Sequence, residues 1–274
     1  EELEYELNNY IGSKYCVSCS SGTDALLMSL LTIGVGPGDA VLTTPFTFIA
    51  TAEVVALLGA TPVFVDIDFD TFNINPDLIE DKIIEVKSET NLNIKAIIAV
   101  NIFGLPADYN KISNITNKYN ISLIEDAAQS FGAKYYNKKS GNLAELSCTS
   151  FFPAKPLGCY GDGGAIFTND DEIYESLISI RIHGKGKDKY DNINIGINGR
   201  LDTIQAAILI EKLKIFNREV LLREKVASKY RDMLEQNFKI QKTPSNYQSV
   251  WAQFSLLAET KENRDTILKY LKKN

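Results

Sequence analysis

The sequence predicts an α/β protein with a mostly parallel central sheet, helices on both faces, and a smaller C-terminal part that is incomplete in this chain. Three observations carry this prediction. Short apolar runs, of which AIIAV at residues 96–100 is the clearest, alternate with helical stretches of about 10–15 residues, the pattern of parallel strands joined by crossover helices. Glycine and proline mark the joints, at Gly34, at Gly36-Pro37-Gly38 and at Gly59. After Asp170 the texture changes, with a loop of Gly, Asn, Lys and Asp at 183–199 followed by a long helical stretch.

Taken in order, residues 1–12 read as the end of an amphipathic helix. The chain starts there without a methionine, so a preceding segment of the natural protein is expected. Cys16–Ser18 is a short strand, and SSGTDALLMSLLTIGV is a turn running into a helix that Gly34 ends. Ala40–Thr43 is a strand, Thr47–Leu58 a helix closed by Gly59, and Pro62–Asp66 an apolar strand. Pro76–Val86 is a helix, Lys95–Val100 a strand, Asp108–Tyr119 a helix and Ser122–Glu125 a strand. Thr149–Phe152 and Gly164–Thr168 read as two more strands. Asp171–Arg181 and Asp202–Gln236 are helical, Val250–Leu257 alternates as a strand does, and a last helix follows. Residues 1–219 are expected to form the large domain. Residues 220–274 are expected to form a linking helix and the start of a small domain.

The bulk composition excludes several classes. The 274 residues carry a net charge of −6, with 45% hydrophobic and 23% charged residues, as an ordinary globular protein does. The acidic balance argues against nucleic acid as the main partner. The one basic cluster, His183 to Lys189, is too short for such a surface and reads as a solvated loop or a patch meeting an anionic substrate. No apolar run of about 18 residues and no signal peptide occur, so no membrane insertion and a cytoplasmic location are expected. Cys16 and Cys19 form a C-x-x-C. Strand alternation puts them on opposite faces, and the single histidine leaves little material for zinc, so no metal is expected and the four cysteines read as small buried residues.

Three segments converge on the carboxyl end of the sheet, where open α/β folds bind ligands. Ser20-Ser21-Gly22-Thr23-Asp24 opens a helix and could hold an anion on its free N–H groups, or could simply be an N-cap. Ile124-Glu125-Asp126-Ala127-Ala128-Gln129 ends a buried strand in a carboxylate. Asp126 would need a cationic partner, and a protonated pyridine nitrogen is one; the alternative is a cap on the next helix. Lys155 is the only charged residue between Glu145 and Asp162, on a loop stiffened by Pro153 and Pro156 and rich in glycine. A desolvated lysine of this kind is a candidate Schiff-base nucleophile, against the alternative of a surface lysine. Ser150 stands where it could also reach a phosphate. Phosphate cradle, ring-nitrogen acid and carbonyl-reactive lysine are the three parts that pyridoxal 5′-phosphate requires.

At these residues the chain resembles the DegT/StrS-type sugar aminotransferases, within the fold type I, aspartate-aminotransferase-like enzymes. The matching motifs are SSGTDAL, GVGPGDAVLTTPFTFIATAEVV, ATPVFVDID, IEDAAQSFGA, SFFPAKPLGCYGDGGAIFTND and GINGRLDTIQAAIL. The motifs run from Ser20 to Leu209, and the resemblance extends from about residue 5 to 260. The lysine segment is most similar to enzymes that aminate UDP-2-acetamido-2-deoxy-3-keto-glucuronate for O-antigen synthesis. The resemblance implies a homodimer with shared sites that moves an amino group from an amino acid, by family habit glutamate, to a nucleotide-linked keto-sugar. It implies that Lys155 joins the cofactor and shuttles protons, and that Asp126 pairs with the ring nitrogen. Gln129 would bond near the ring oxygen, and Phe48 would stack on the ring, with Phe46 lining the pocket. Gly22, Thr23 and Ser150 would hold the phosphate, with Asp24 contributing its N–H. Asn198 would reach the partner's phosphate, and Arg200 and His183 would face the sugar nucleotide. It also implies family segments before residue 1 and beyond residue 274.

A histidine in place of the lysine marks the dehydratases of this family, so Lys155 favours amino transfer. The rivals are another pyridoxal-phosphate reaction type, such as a lyase, a NAD enzyme, and a catalytically silent homologue. No G-x-G-x-x-G follows the first strand, which disfavours NAD. The intact lysine, aspartate and cradle disfavour silence.

Overall fold

The computed structural model describes residues 1–188 and 190–273; Lys189, the last of the basic cluster, and Asn274 lie outside the described residues. The helices are α1 (Glu2–Ile11), α2 (Gly22–Thr32), α3 (Ala50–Leu57), α4 (Ile79–Glu89), α5 (Tyr109–Tyr119), α6 (Asp171–Arg181), α7 (Thr203–Leu234) and α8 (Lys261–Lys273). The main sheet holds β1 (Tyr15–Cys19), β2 (Asp39–Thr43), β3 (Thr61–Phe64), β4 (Asn93–Val100) and β5 (Ser122–Asp126). Past the two-residue strands β6 (Lys134–Tyr135) and β7 (Lys138–Lys139), β8 (Leu146–Ser150) and β9 (Gly164–Thr168) complete it. Its order is β1-β9-β8-β5-β4-β2-β3. β8, β5, β4, β2 and β3 run parallel, and β9 is antiparallel to both its neighbours. The expected mostly parallel sheet is therefore present.

Both faces of the sheet are covered because its strands alternate apolar residues to both sides. Val17, Val41, Ile98, Ile124 and Ile166 pack with Ala25, Met28 and Leu30 of α2 and Leu177 and Ile180 of α6. On the other face, Leu42, Ile97 and Leu123 meet Ile79 and Ile83 of α4 and Ile112 of α5. Cys16, Ala165 and Phe167 meet Leu7 of α1 and Leu209 and Phe216 of α7. Cys19 belongs to the first group and Cys16 to the last, so the two cysteines do fall on opposite faces.

Several expected bounds move for physical reasons. The strand expected at Thr149–Phe152 runs Leu146–Ser150 instead. Its polar residues are buried because Ser147 Oγ donates to Glu125 Oε2 (2.7 Å) and Thr149 Oγ1 to the Ala127 carbonyl (3.2 Å). The helix expected from Thr47 starts at Ala50, since Ile49 provides no side-chain cap and the Thr47 hydroxyl bonds Thr51 instead. The strand expected over Val250–Leu257 does not form; only Leu256–Leu257 pair, with Lys239–Ile240. Trp251 takes a left-handed backbone (φ 49°), which breaks the extended run. Gly104 (φ 106°) lies so close beneath that a Cβ there would be 2.8 Å from the Trp251 amide nitrogen. The helix expected at Asp202–Gln236 runs Thr203–Leu234. Among the described residues no helix is long and apolar enough to cross a membrane.

Candidate active site

The register of the sheet brings the three sequence segments together. Cys19, Gly164 and Ser150 lie side by side on β1, β9 and β8, and Asp126 ends β5 beside Val100 and Cys148. Beyond these ends lies a cavity of about 560 Å³. Gly22, Thr23, Phe48, Asp126, Gln129, Ser150 and Lys155 all line it. Phe46 does not; it packs edge-on to Phe72 and Phe103. Asn198, Arg200 and His183 are exposed and outside the lining, His183 with a left-handed backbone (φ 64°). A larger cavity, of about 830 Å³ and lined by Asn93, Asn120 and Asn142, opens at the opposite, amino end of β4 and β5 and holds none of these groups.

Asp126 is almost fully buried. Its Oδ2 accepts from Thr51 Oγ1 (2.9 Å) and its Oδ1 from the Ala128 N–H (3.1 Å). Burial pushes its carboxyl above the ordinary aspartate range, while those two donors and the Lys155 charge pull it back. A hydroxyl has one proton, and Thr51 gives its own to Asp126. Thr47, 2.8 Å away, therefore donates to Thr51 and turns its acceptor side outward. The sequence reading did not include this pair, because Thr47 lies in the turn before α3 and meets Thr51 only through the shape of that turn.

Lys155 is half-buried, and burial lowers its amine below the ordinary lysine value, with Asp126 opposing. Among the described residues no hydrogen bond or ion pair engages Nζ. Its loop is tightly fixed. Lys155 N–H donates to Phe152 O (2.9 Å) and Cys159 N–H to Phe151 O (2.7 Å). A Cβ on Gly158 would stand 2.7 Å from the carbonyl oxygens of Phe152 and Pro153. From α7, Gln205 Oε1 accepts the Tyr160 N–H (2.9 Å) and the Lys212 amine donates to Gly158 O.

The start of α2 forms the anion cradle. Ser21 Oγ accepts the Asp24 N–H (3.0 Å), so the N-cap is real and the Asp24 amide is engaged within it. Asp24 itself is absent from the cavity lining, and the open amides of the first turn are those of Gly22 and Thr23. A Cβ at Gly22 would sit 2.6 Å from Ser150 Cβ, so only glycine lets the helix start approach β8 this closely.

These residues fit pyridoxal phosphate. A buried carboxylate with one donor per oxygen and, among the described residues, no ion pair matches a protonated ring nitrogen. A helix start with free amides beside Ser150 matches a phosphate. An unpartnered, desolvated amine matches the aldehyde. Two further residues of the lining, Asp162 and Gln253, were not singled out in the sequence. Gln253 arrives from the C-terminal part through the Trp251 kink, where Val250 N–H donates to Gly104 O (3.1 Å) and Trp251 Nε1 to Glu224 Oε2.

A model of the DegT/DnrJ/EryC1/StrS aminotransferase family matches residues 1–274. The chain is 51% identical over 269 residues to the UDP-2-acetamido-2-deoxy-3-oxo-D-glucuronate aminotransferase of Pseudomonas aeruginosa, covering 98% of this chain and 73% of that one. A DegT DnrJ EryC1 StrS aminotransferase from Brucella abortus superposes with a TM-score of 0.95 at 48% identity, over 98% of this chain and 72% of that one. NtdA of Bacillus subtilis, solved with bound cofactor PMP, gives a TM-score of 0.89 at 32% identity, over 98% and 60%.

Proposed function

We propose that this chain, which belongs to the DegT/DnrJ/EryC1/StrS aminotransferase family, transfers an amino group from an amino acid to a nucleotide-linked keto-sugar with pyridoxal 5′-phosphate as cofactor. The donor is glutamate and the acceptor a UDP-linked 3-keto N-acetyl sugar, destined for surface polysaccharide and made in the cytoplasm. The observation that carries the reading is the presence, on one cavity, of a buried Asp126 with no ion pair and a desolvated Lys155 with no hydrogen bond, among the described residues. The name of the Pseudomonas relative supports the sugar.

When bound, pyridoxal phosphate supplies an aldehyde that links to amines and a ring that accepts the electron pair left at a deprotonated carbon. The chain does the rest. Burial favours the neutral amine of Lys155, which acts as nucleophile and then carries protons at Nζ. Asp126 keeps the proton on the ring nitrogen, and Thr51 and the Ala128 N–H keep Asp126 aimed. The amides of Gly22 and Thr23 and the Ser150 hydroxyl bind the phosphate, and the capped Asp24 stabilises that turn. Phe48 covers the ring face and Gln129 meets the ring oxygen. In a homodimer, Asn198 reaches the partner's phosphate and Arg200 and His183 face the sugar nucleotide.

Borohydride reduction of the cofactor-loaded protein should tag one peptide, containing Lys155. Product analysis with glutamate and UDP- and TDP-linked keto-sugars should then yield an amino sugar. A tag elsewhere, or no amino sugar from any acceptor, overturns the reading.

A further inference from the structure

We propose that Glu125 is a positioning residue: through Asn101 and the turn that follows it, Glu125 fixes the amide of Gln129 so that its Nε2 group is the donor offered to the cavity. This rests on the cofactor reading above, because the group that Nε2 would meet is the ring oxygen of the bound cofactor.

Glu125 is fully buried, and no ion pair reaches it among the described residues. Its Oε1 accepts from Asn101 Nδ2 (2.9 Å), Ser140 Oγ (2.6 Å) and the Gly141 N–H (3.0 Å). Its Oε2 accepts from Ser147 Oγ (2.7 Å), the Leu143 N–H (3.1 Å) and again the Gly141 N–H (3.0 Å). Amide and backbone N–H groups only donate, and they address both oxygens, so the set fits a carboxylate.

That arrangement dictates the next one. Asn101 must present Nδ2 to Glu125, and its Oδ1 is left to accept the Ala107 N–H (2.9 Å) and the Tyr109 hydroxyl (2.9 Å). Both ends of the side chain are thereby fixed. The Asn101 N–H donates to Asp126 O (3.1 Å), and Asn73 Oδ1 accepts the Ile102 N–H (2.9 Å). The turn so held forces Phe103 into a left-handed backbone (φ 62°), a conformation that persists in a non-glycine residue only when its surroundings impose it. There the Phe103 N–H donates to Gln129 Oε1 at 2.6 Å. A backbone N–H cannot accept, so Gln129 is obliged to use its carbonyl oxygen on Phe103 and to leave Nε2 for the cavity that it lines. The orientation of a cavity residue thus traces back to a carboxylate outside the cavity lining.

The test uses the full chain as wild type, E125Q, S147A and Q129E. Pyridoxal 5′-phosphate affinity is read from the fluorescence of the single tryptophan, Trp251, next to Ala252 and Gln253 of the cavity wall. The second readout is the pH midpoint of the visible band of the bound cofactor. E125Q puts an amide among donors, so the Asn101 turn that carries the Phe103 N–H loosens, and with it the bond that aims the Gln129 amide. Its dissociation constant should rise about tenfold and its midpoint by roughly half to one pH unit, the scale of one lost hydrogen bond to a charged oxygen. S147A, which removes one donor from Glu125, should shift the midpoint the same way by less, and Q129E should shift it most. A wild-type midpoint in E125Q and S147A alongside a shifted Q129E overturns the proposal and leaves the cofactor reading standing. A wild-type protein that neither binds the cofactor nor shows a band overturns both. If E125Q does not fold, S147A decides.

Discussion

Asp126 lies in the interior with two hydrogen bonds and, among the described residues, no ion pair, an arrangement that suits a ligand better than it suits the empty protein. Its folded pKa is raised, so folding favours the protonated form. The stability Asp126 contributes is full below the unfolded value, about 3.9, and is lost as pH rises through the raised folded value. In cofactor-free protein, the melting temperature of wild type minus that of Asp126→Asn should therefore fall steadily as pH rises above that point, as calorimetry across the window would record. A difference that grew with pH would contradict the assigned direction. Lys155→Ala removes both nucleophile and proton carrier, and transamination should drop by about four orders of magnitude or more, the upper scale of acid–base catalysis. Thr51→Val takes one of two donors from Asp126 and should weaken cofactor binding about tenfold to hundredfold, the scale of one charged hydrogen bond. At this scale the sequence showed Lys155 and Asp126 because each is a charge in an apolar or small-residue setting. It hid Thr51 and Glu125, whose roles depend on partners dozens of positions away.

At the scale of elements, the cradle depends on how closely α2 and β8 approach. Gly22→Ala would place a methyl group 2.6 Å from Ser150 Cβ. The helix start would have to move away, and cofactor affinity should fall more than tenfold while the fold survives, since overpacking of one methyl costs about 1–3 kcal/mol. Equilibrium binding with circular dichroism as a control tests both parts. The strands were readable where apolar residues run together, as in β4, and where a turn residue bounds them, as at Gly164 in β9. β8 was misplaced because Ser147 and Thr149 look polar while their hydroxyls are satisfied inside. The segment around Trp251 was misread because WAQFSLLA alternates like a strand. Nothing local announces that Gly104, nearly 150 positions earlier, holds it in another shape.

For the molecule as a whole, large aromatic side chains stand exposed on the very loops that carry the site: Phe48 at 67%, Phe152 at 50% and Tyr160 at 76%. Apolar groups so placed fit burial against a second copy, as the proposed homodimer requires. If Asn198 serves the partner's site, inactive Lys155→Ala and Asn198→Ala proteins should complement when mixed and refolded together. Random pairing gives about a quarter of wild-type activity, because half the dimers are hybrids with one intact site each. No recovery would place both residues in one subunit's site. The sheet order adds a temporal consequence. β1, which leads into the phosphate cradle, bonds within the sheet only to β9. During translation at about 5–20 residues per second, the ribosome needs roughly 7–30 s to deliver Gly164 after Cys19. The nascent cradle must wait for that later strand, so cofactor capture cannot precede the emergence of β9.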